Sequence, residues 1–142
     1  MALEGQDVVS KVYDLLAADT GAGGVSTLLG GRIYRDRVPA AASLPAATVT
    51  LVSHTDLNTM GGTRVVANTL VDVRVVGAGS SYATLNPVAR RADVVLQEAG
   101  GTSFGSVVVK LRRTAVTQFI EDDSGVMYAH VVQTYRSEAY AT

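Results

Sequence analysis

Apolar residues recur at helical spacing in two parts of the chain and at every second position in four others. Val8, Val12, Leu15 and Leu16 form one stripe, which predicts a helix over Asp7–Asp19 that Thr20–Gly24 (TGAGG) ends. A short turn or helical piece is expected over Val25–Leu29, before Gly30 and Gly31 break the chain. The second stripe is the stronger one: Leu85, Val88, Ala92, Val95, Leu96 and Ala99. Its helix starts between Ser81 and Pro87 and ends near Glu98, ahead of Gly100 and Gly101. Asn86–Pro87 offers an N-cap followed by a first-turn proline.

Strand alternation begins at Ala46–His54, with Ala47, Val49 and Leu51 on one face and Thr48, Thr50 and His54 on the other. Thr55–Gly62 reads as the loop of a long hairpin, and Thr63–Val76 as its second strand. That strand sets Val65, Ala67, Thr69, Val71, Val73 and Val75 against Arg64, Asn68, Asp72 and Arg74. After a turn at Gly77–Ser81 and the second helix, Ser106–Ile120 sets Val107, Val109 and Leu111 against Lys110, Arg112 and Thr114. Val126–Arg136 sets Met127, Ala129, Val131 and Tyr135 against His130, Thr134 and Arg136. Asp122–Gly125 is hairpin-turn chemistry between these two strands. The expected fold is α+β in the order α-β-β-α-β-β. It is an antiparallel or mixed sheet of about four strands, with two helices packed on one face, as one domain over residues 1–142. The other sheet face is left amphiphilic, either solvated or covered by another subunit.

Composition narrows the function. The chain has 142 residues, 47% hydrophobic and 18% charged, which suits a folded globular domain. No apolar run approaches the ~18 residues of a membrane span. The start, MALEGQDVV, lacks the basic end and apolar core of a signal peptide, so folding in a cytoplasm is expected. The net charge of −1 argues against a duplex-reading domain, which carries a basic stripe. Ten of the twelve basic residues are Arg, the cation suited to bidentate contacts across protein interfaces. A GC-rich coding sequence gives the same bias.

Candidate chemistry is sparse. There are no cysteines, hence no thiolate nucleophile or cysteine metal site. His54 and Asp56 form a His-x-Asp pair without the further ligands a metal needs nearby in sequence. Asp122 and Asp123 are adjacent and read as turn residues rather than an acid–base pair. Gly21–Gly24 follows a helix and lacks the Gly-Lys-Ser/Thr of a phosphate loop. Gly77–Tyr82 (GAGSSY) carries tyrosine where a dinucleotide fingerprint has its third glycine. Six Tyr and two Phe, scattered, make a weak stacking platform for single-stranded nucleic acid. The densest charge lies at Arg32–Arg37 (RIYRDR), three arginines, one tyrosine and one aspartate in six residues. An interface is the reading that survives.

Taken together, several segments resemble the tail terminator (tail completion) proteins of long-tailed bacteriophages and related particles. They are the opening helix VVSKVYDLLAAD, then LLGGRIYRDRVPAAASLPAATVTLV, a long strand ending in LVDVRVVG, a helix around ARRADVVLQ, and closing strands ending in VVQTYRSEA. The resemblance spans nearly the whole chain except Asn58–Gly62. It implies helices against a mixed or antiparallel sheet, and a hexameric ring that caps the tail tube, stops its growth and presents the surface for head joining. It implies no enzymatic activity, and no cofactor is expected. It places the protein in the virion tail or neck, assembled in the host cytoplasm, away from membranes. Its partners are further copies of itself, the tail tube protein and a head-side connector, with double-stranded DNA passing through unread.

On this footing Arg32, Tyr34, Arg35, Arg37, Arg64, Asp72, Arg74 and Arg112 are expected at subunit contacts. The bland alternative is that Ile33 and Tyr34 anchor the loop while the arginines are solvated. Asn58, Thr59, Met60, Gly61, Gly62, Glu121, Asp122 and Asp123 are expected in tip loops that dock on the tube or connector. Two other readings stay open: a head-completion or connector ring, and a small-ligand enzyme using His54, Asp56 and a tyrosine.

Overall fold

The computed structural model describes residues 5–58, 60–61, 64–99, 101–103, 106–108 and 110–141. Three helices, α1 (Gly5–Ala17), α2 (Val25–Leu29) and α3 (Leu85–Leu96), lie against one face of a mixed sheet. Its strands are β1 (Ile33–Arg35), β2 (Ala46–Asn58), β3 (Arg64–Ala78), β4 (Gly101–Ser103), β5 (Ser106–Val108), β6 (Arg112–Asp123) and β7 (Val126–Ala141). They are ordered β1-β2-β3-β7-β5-β4, with β6 also paired to β7. β1 runs parallel to β2 and every other pair is antiparallel. The α+β class with helices on one face is as expected, as are the four long strands β2, β3, β6 and β7; among the described residues the sheet also contains β1, β4 and β5, of three residues each.

The additional strands arise where pairing overrides local pattern. β1 is too short to show alternation, and forms because Ile33–Arg35 lies alongside Ala47–Val49. β2 continues through Thr55–Asn58, expected as loop, since Thr55, Asp56 and Leu57 sit opposite Asn68, Ala67 and Val66. The single strand expected over Ser106–Ile120 divides into β5 and β6. Between them Leu111 is fully buried; its N–H donates to the Ala99 carbonyl (2.7 Å) and its own carbonyl accepts from the Glu98 N–H (2.9 Å). That detour moves the chain out of the ladder for the residues around Lys110.

A bulge between Leu51 and Ser53 carries a second correction. The extra residue, Val52, is half exposed, and it reverses the alternation beyond it. His54 therefore sits opposite Thr69, on the side of Leu51 and Val71 that faces the helices, not beside Thr48 and Thr50.

The core is one cluster. Val8, Val12 and Leu16 of α1, Val25 and Leu29 of α2, and Leu85, Val88, Ala92 and Leu96 of α3 meet the odd-numbered residues of β2, β3 and β7. The α2 stop works as its glycines suggest: Gly30 takes φ +60°, and the Gly30 and Gly31 N–H groups donate to Thr27 and Ser26. Gly77 has a steric role as well, because a Cβ there would lie 2.8 Å from Leu85 Cδ2, where α3 begins.

Two polar clamps hold the layers. Arg91 of α3 binds Asp19 bidentately (2.8 and 2.9 Å), and the same carboxylate accepts the Val25 N–H at the start of α2 (2.9 Å). The Arg91 hydrogen bond holds the Asp19 carboxyl below its ordinary value. On the sheet, Tyr135 is fully buried with its hydroxyl 3.0 Å from Asp93 Oδ1 of α3 and 2.9 Å from Gln133 Oε1. Gln133 in turn donates to the Ala89 carbonyl (3.0 Å). Burial first, and the Asp93 charge second, push the Tyr135 phenol well above its ordinary value. Tyr135→Phe removes the one O–H donor that the Asp93 and Gln133 oxygens share, so it should lower the unfolding free energy by about 1–3 kcal/mol in denaturant titrations at neutral pH.

Candidate functional site

Of the expected arginines, Arg37 and Arg74 line a cleft on the sheet face away from the helices, whereas Arg35 follows Ile33 on the helix side. After Arg35 the chain leaves β1 through Asp36, whose φ of +68° turns the backbone so that its N–H donates to Val49 O (3.0 Å). Residues 36–44 then lie over the outer face and enclose a cleft of about 430 Å³. Arg37, Val38, Pro39 and Leu44 form its wall; Thr48, Arg74, Tyr128 and His130 form its floor. The Leu44–Pro45 peptide that returns the chain to β2 is cis.

The arginines divide by what already holds them. Arg32 Nε donates to the Pro45 carbonyl (2.9 Å), which fastens the returning segment to β1. Arg35 is exposed and lies over the Tyr13 ring of α1, 5.0 Å from its centroid. Arg37 and Arg74 are exposed and line the cleft together, with Glu121 at its edge. Tyr34 is half-buried. Asp72 accepts a 2.6 Å hydrogen bond from Thr134 Oγ1. Arg112 is remote from this group, at the start of β6 beside Lys110, Arg113 and Arg136, around a separate hollow of about 520 Å³. Arg64 opens β3 opposite Asn58; its side chain lies outside the described residues.

His130 forms the unusual point in the floor of the cleft. It is 6% exposed, and its ring stacks on Phe119 at 4.6 Å between centroids and 9° between planes. Neither ring nitrogen has a hydrogen-bond partner, and Glu121 Oε2 approaches Nε2 only to 3.8 Å. Arg74 covers the Phe119 ring at 5.8 Å. Desolvation, helped by the Arg74 charge and opposed by Glu121, pushes the His130 pKa below its ordinary 6.5.

The expected tips differ in kind. Met60 and Gly61 are exposed in the β2–β3 turn, Asn58 ends β2, and Thr59 and Gly62 lie outside the described residues. Glu121, Asp122 and Asp123 belong to β6 rather than to a loop, because the β6–β7 turn is only Ser124–Gly125. Both of those residues have positive φ, +54° and +89°, and Asp122 Oδ1 accepts the Gly125 N–H at 2.8 Å.

The His-x-Asp pair is a real contact: His54 Nε2 lies 2.7 Å from Asp56 Oδ1, and Nδ1 lies 3.3 Å from Thr69 Oγ1. An Asp–His–Thr chain has the order of a nucleophile relay, but Thr69 is fully buried and cannot reach a substrate. Among the described residues no group of three or more His, Asp and Glu is placed to hold a metal ion.

What the sequence reading missed is the exposure of β6. Every residue from Arg112 to Asp123 is exposed, including Val116, Phe119 and Ile120, and Val126 and Met127 follow on β7. The available signal was in RRTAVTQFIEDD itself, basic at one end and acidic at the other, with no strict alternation.

A family model described as "Tail completion protein gp17" matches residues 10–137. Among solved structures, a chain of a native gene transfer agent virion matches with a TM-score of 0.72 at 18% identity, covering 96% of both chains. A second solved chain matches with a TM-score of 0.61 at 12% identity, again over 96% of both. At these identities the structural likeness establishes the fold. No curated protein matches.

The His130 environment generates a pH dependence. The fold favours the neutral ring, so the unfolded chain binds the proton more readily. Its contribution to stability is complete above about pH 6.5 and is lost as pH falls through the lower folded value. Denaturant midpoints measured from pH 7.5 downwards, over a range above the carboxylate titrations, should therefore decline. They should decline less in His130→Phe, which keeps the stack on Phe119 and removes the titrating group.

Proposed function

Because the chain belongs to the tail completion protein gp17 family, whose members are structural phage tail proteins, we propose that it closes a ring, with six copies as the expected number, on the end of the tail tube. In this reading the ring ends tube polymerisation and offers its opposite side to a head-side connector. The observation that carries it is the family match over residues 10–137, nearly the length of the chain. In this reading the role is structural, and the ordered His54–Asp56–Thr69 contact, whose hydroxyl is buried, serves the fold.

Three features of the surface support ring contacts. Arg37 and Arg74 are exposed on the outer side of the sheet and Arg35 is exposed beside α1, where guanidinium forks can meet a neighbour's carboxylates. A contact built on these arginines would be largely polar, which suits subunits that exist free before they assemble. The β2–β3 turn, with Met60 fully exposed, and the acidic end of β6 project from the ends of long hairpins. We assign these to docking on the tube or connector. DNA passes through the ring without base readout, consistent with a net charge of −1.

Light scattering on the protein alone and mixed with its tail tube protein tests the ring directly, with a mass near six chains expected in at least the mixture. Co-purification with head-side proteins and indifference to the tube protein would transfer the assignment to a head-completion ring. Arg35→Ala with Arg37→Ala should reduce ring formation at least tenfold while leaving the thermal midpoint within a few degrees, since both side chains are exposed. Deletion of residues 58–62 with a short glycine replacement should leave folding intact and abolish tail capping; normal tails from this variant refute the docking role of that turn.

A further inference from the structure

β6 is a long strand with one edge paired to β7 and, among the described residues, no strand on the other edge. Near its start, the Arg113 N–H on the open side is taken by Gln97 Oε1 (3.2 Å), so the free edge begins at Thr114 and runs to Asp123. An open edge of this length with Val116, Phe119 and Ile120 exposed is a template for another strand. The opposite margin of the sheet is β1, which offers three residues and is no match in length.

The charge and face pattern of β6 specify what does match. Arg113 Nη1 lies 3.5 Å from Asp93 of α3, and Gln118 donates to Asn86 of α3 (3.0 Å), so both are on the helix side. Alternation adds Val116, Ile120 and Asp122 to that side. Phe119 stacks on His130 of the outer face, which places Thr117, Glu121 and Asp123 there. Thr114 is the extra residue of a bulge between Arg113 and Ala115, so Arg112 falls on the outer face although Arg113 is on the helix side.

Lay a second β6 antiparallel to the first, with Gln118 opposite its own copy. Val116 then faces Ile120 and Thr117 faces Phe119. Past the bulge, Arg113 faces Asp122 on the helix side and Arg112 faces Asp123 on the outer side. Each pair occurs twice by symmetry, and each joins residues on the same face. A parallel alignment instead sets arginine beside arginine and aspartate beside aspartate.

We propose that the free protein forms a two-fold dimer in which the β6 edges of two copies pair antiparallel about Gln118, joining their sheets. The inference rests on the edge geometry and charge pattern, not on the tail role. The pairing covers Glu121–Asp123, the end assigned above to docking, so the dimer is the form before assembly and parts when that end meets its partner. It also protects an open apolar edge from aggregation.

The test is a charge exchange read by light scattering at micromolar concentration. Wild type should have the mass of two chains. R112E/R113E and D122R/D123R should each fall to one chain, since both place like charges opposite in a self-pair. An equimolar mixture of the two variants should return to two chains, because the mixed pair restores opposite charge at every position. Circular dichroism melts establish that each variant folds. If D122R/D123R does not, because the Asp122–Gly125 turn bond is lost, R112E against D123R carries the same test on exposed side chains. A wild-type monomer, variants that remain dimers, or a mixture of folded variants that stays at one chain overturns the proposal. A wild-type mass of six chains overturns it and supports the ring, whereas a dimer that never caps a tail overturns only the ring.

Discussion

The structure is organised around β7, which is paired along both edges. One edge carries β3 from Tyr128 to Tyr140; the other carries β6 up to Arg136 and β5 from Ala139. A strand held on both sides has no freedom of register, because a slip of one residue would turn its whole buried set outward. Ala129, Val131, Gln133 and Tyr135 are thereby committed to the helices. The Tyr135–Asp93 and Gln133–Ala89 contacts convert that commitment into a fixed seat for α3. α3 then fixes α1 and α2 through Arg91 and Asp19.

The same pairing decides what the other face can offer. With its odd residues taken by the core, β7 turns His130 and Val132 outward beside Thr48 of β2 and Arg74 of β3. The returning segment 36–44 covers part of this second surface and leaves a cleft. His130 is buried there without a nitrogen partner because Phe119 closes over it from β6. A neutral aromatic stack beneath an arginine gives that face a firm floor while the cations remain at its surface.

Edges complete the functional picture. Helices cover one sheet face, yet β6 extends beyond them and exposes both its faces and one row of backbone groups. Globular proteins hide such edges with charge, twist or a partner. Here charge stands at both ends of β6, of opposite sign, with apolar residues between. That arrangement discourages indiscriminate strand addition and favours one orientation of one partner.

The amino-acid sequence by itself determined the elements whose signals are local. The apolar stripes set α1 and α3, the glycines set the end of α2, alternation set the centres of β2, β3 and β7, and Ser124–Gly125 set the last turn. The resemblance carried by its segments led to the family, since those segments span the chain that the family matches. Tertiary structure decided whatever depends on a distant partner. The bulge at Val52 moved His54 to the helix side, Leu111 divided one expected strand into two, and β1 exists only beside β2. Arg91 and Asp19 stand 72 residues apart, and no periodicity marks them as a pair. Register and edge exposure are properties of two strands together; a single chain segment holds half of each, which is why β6 read as an ordinary half-buried strand until its neighbours were in place.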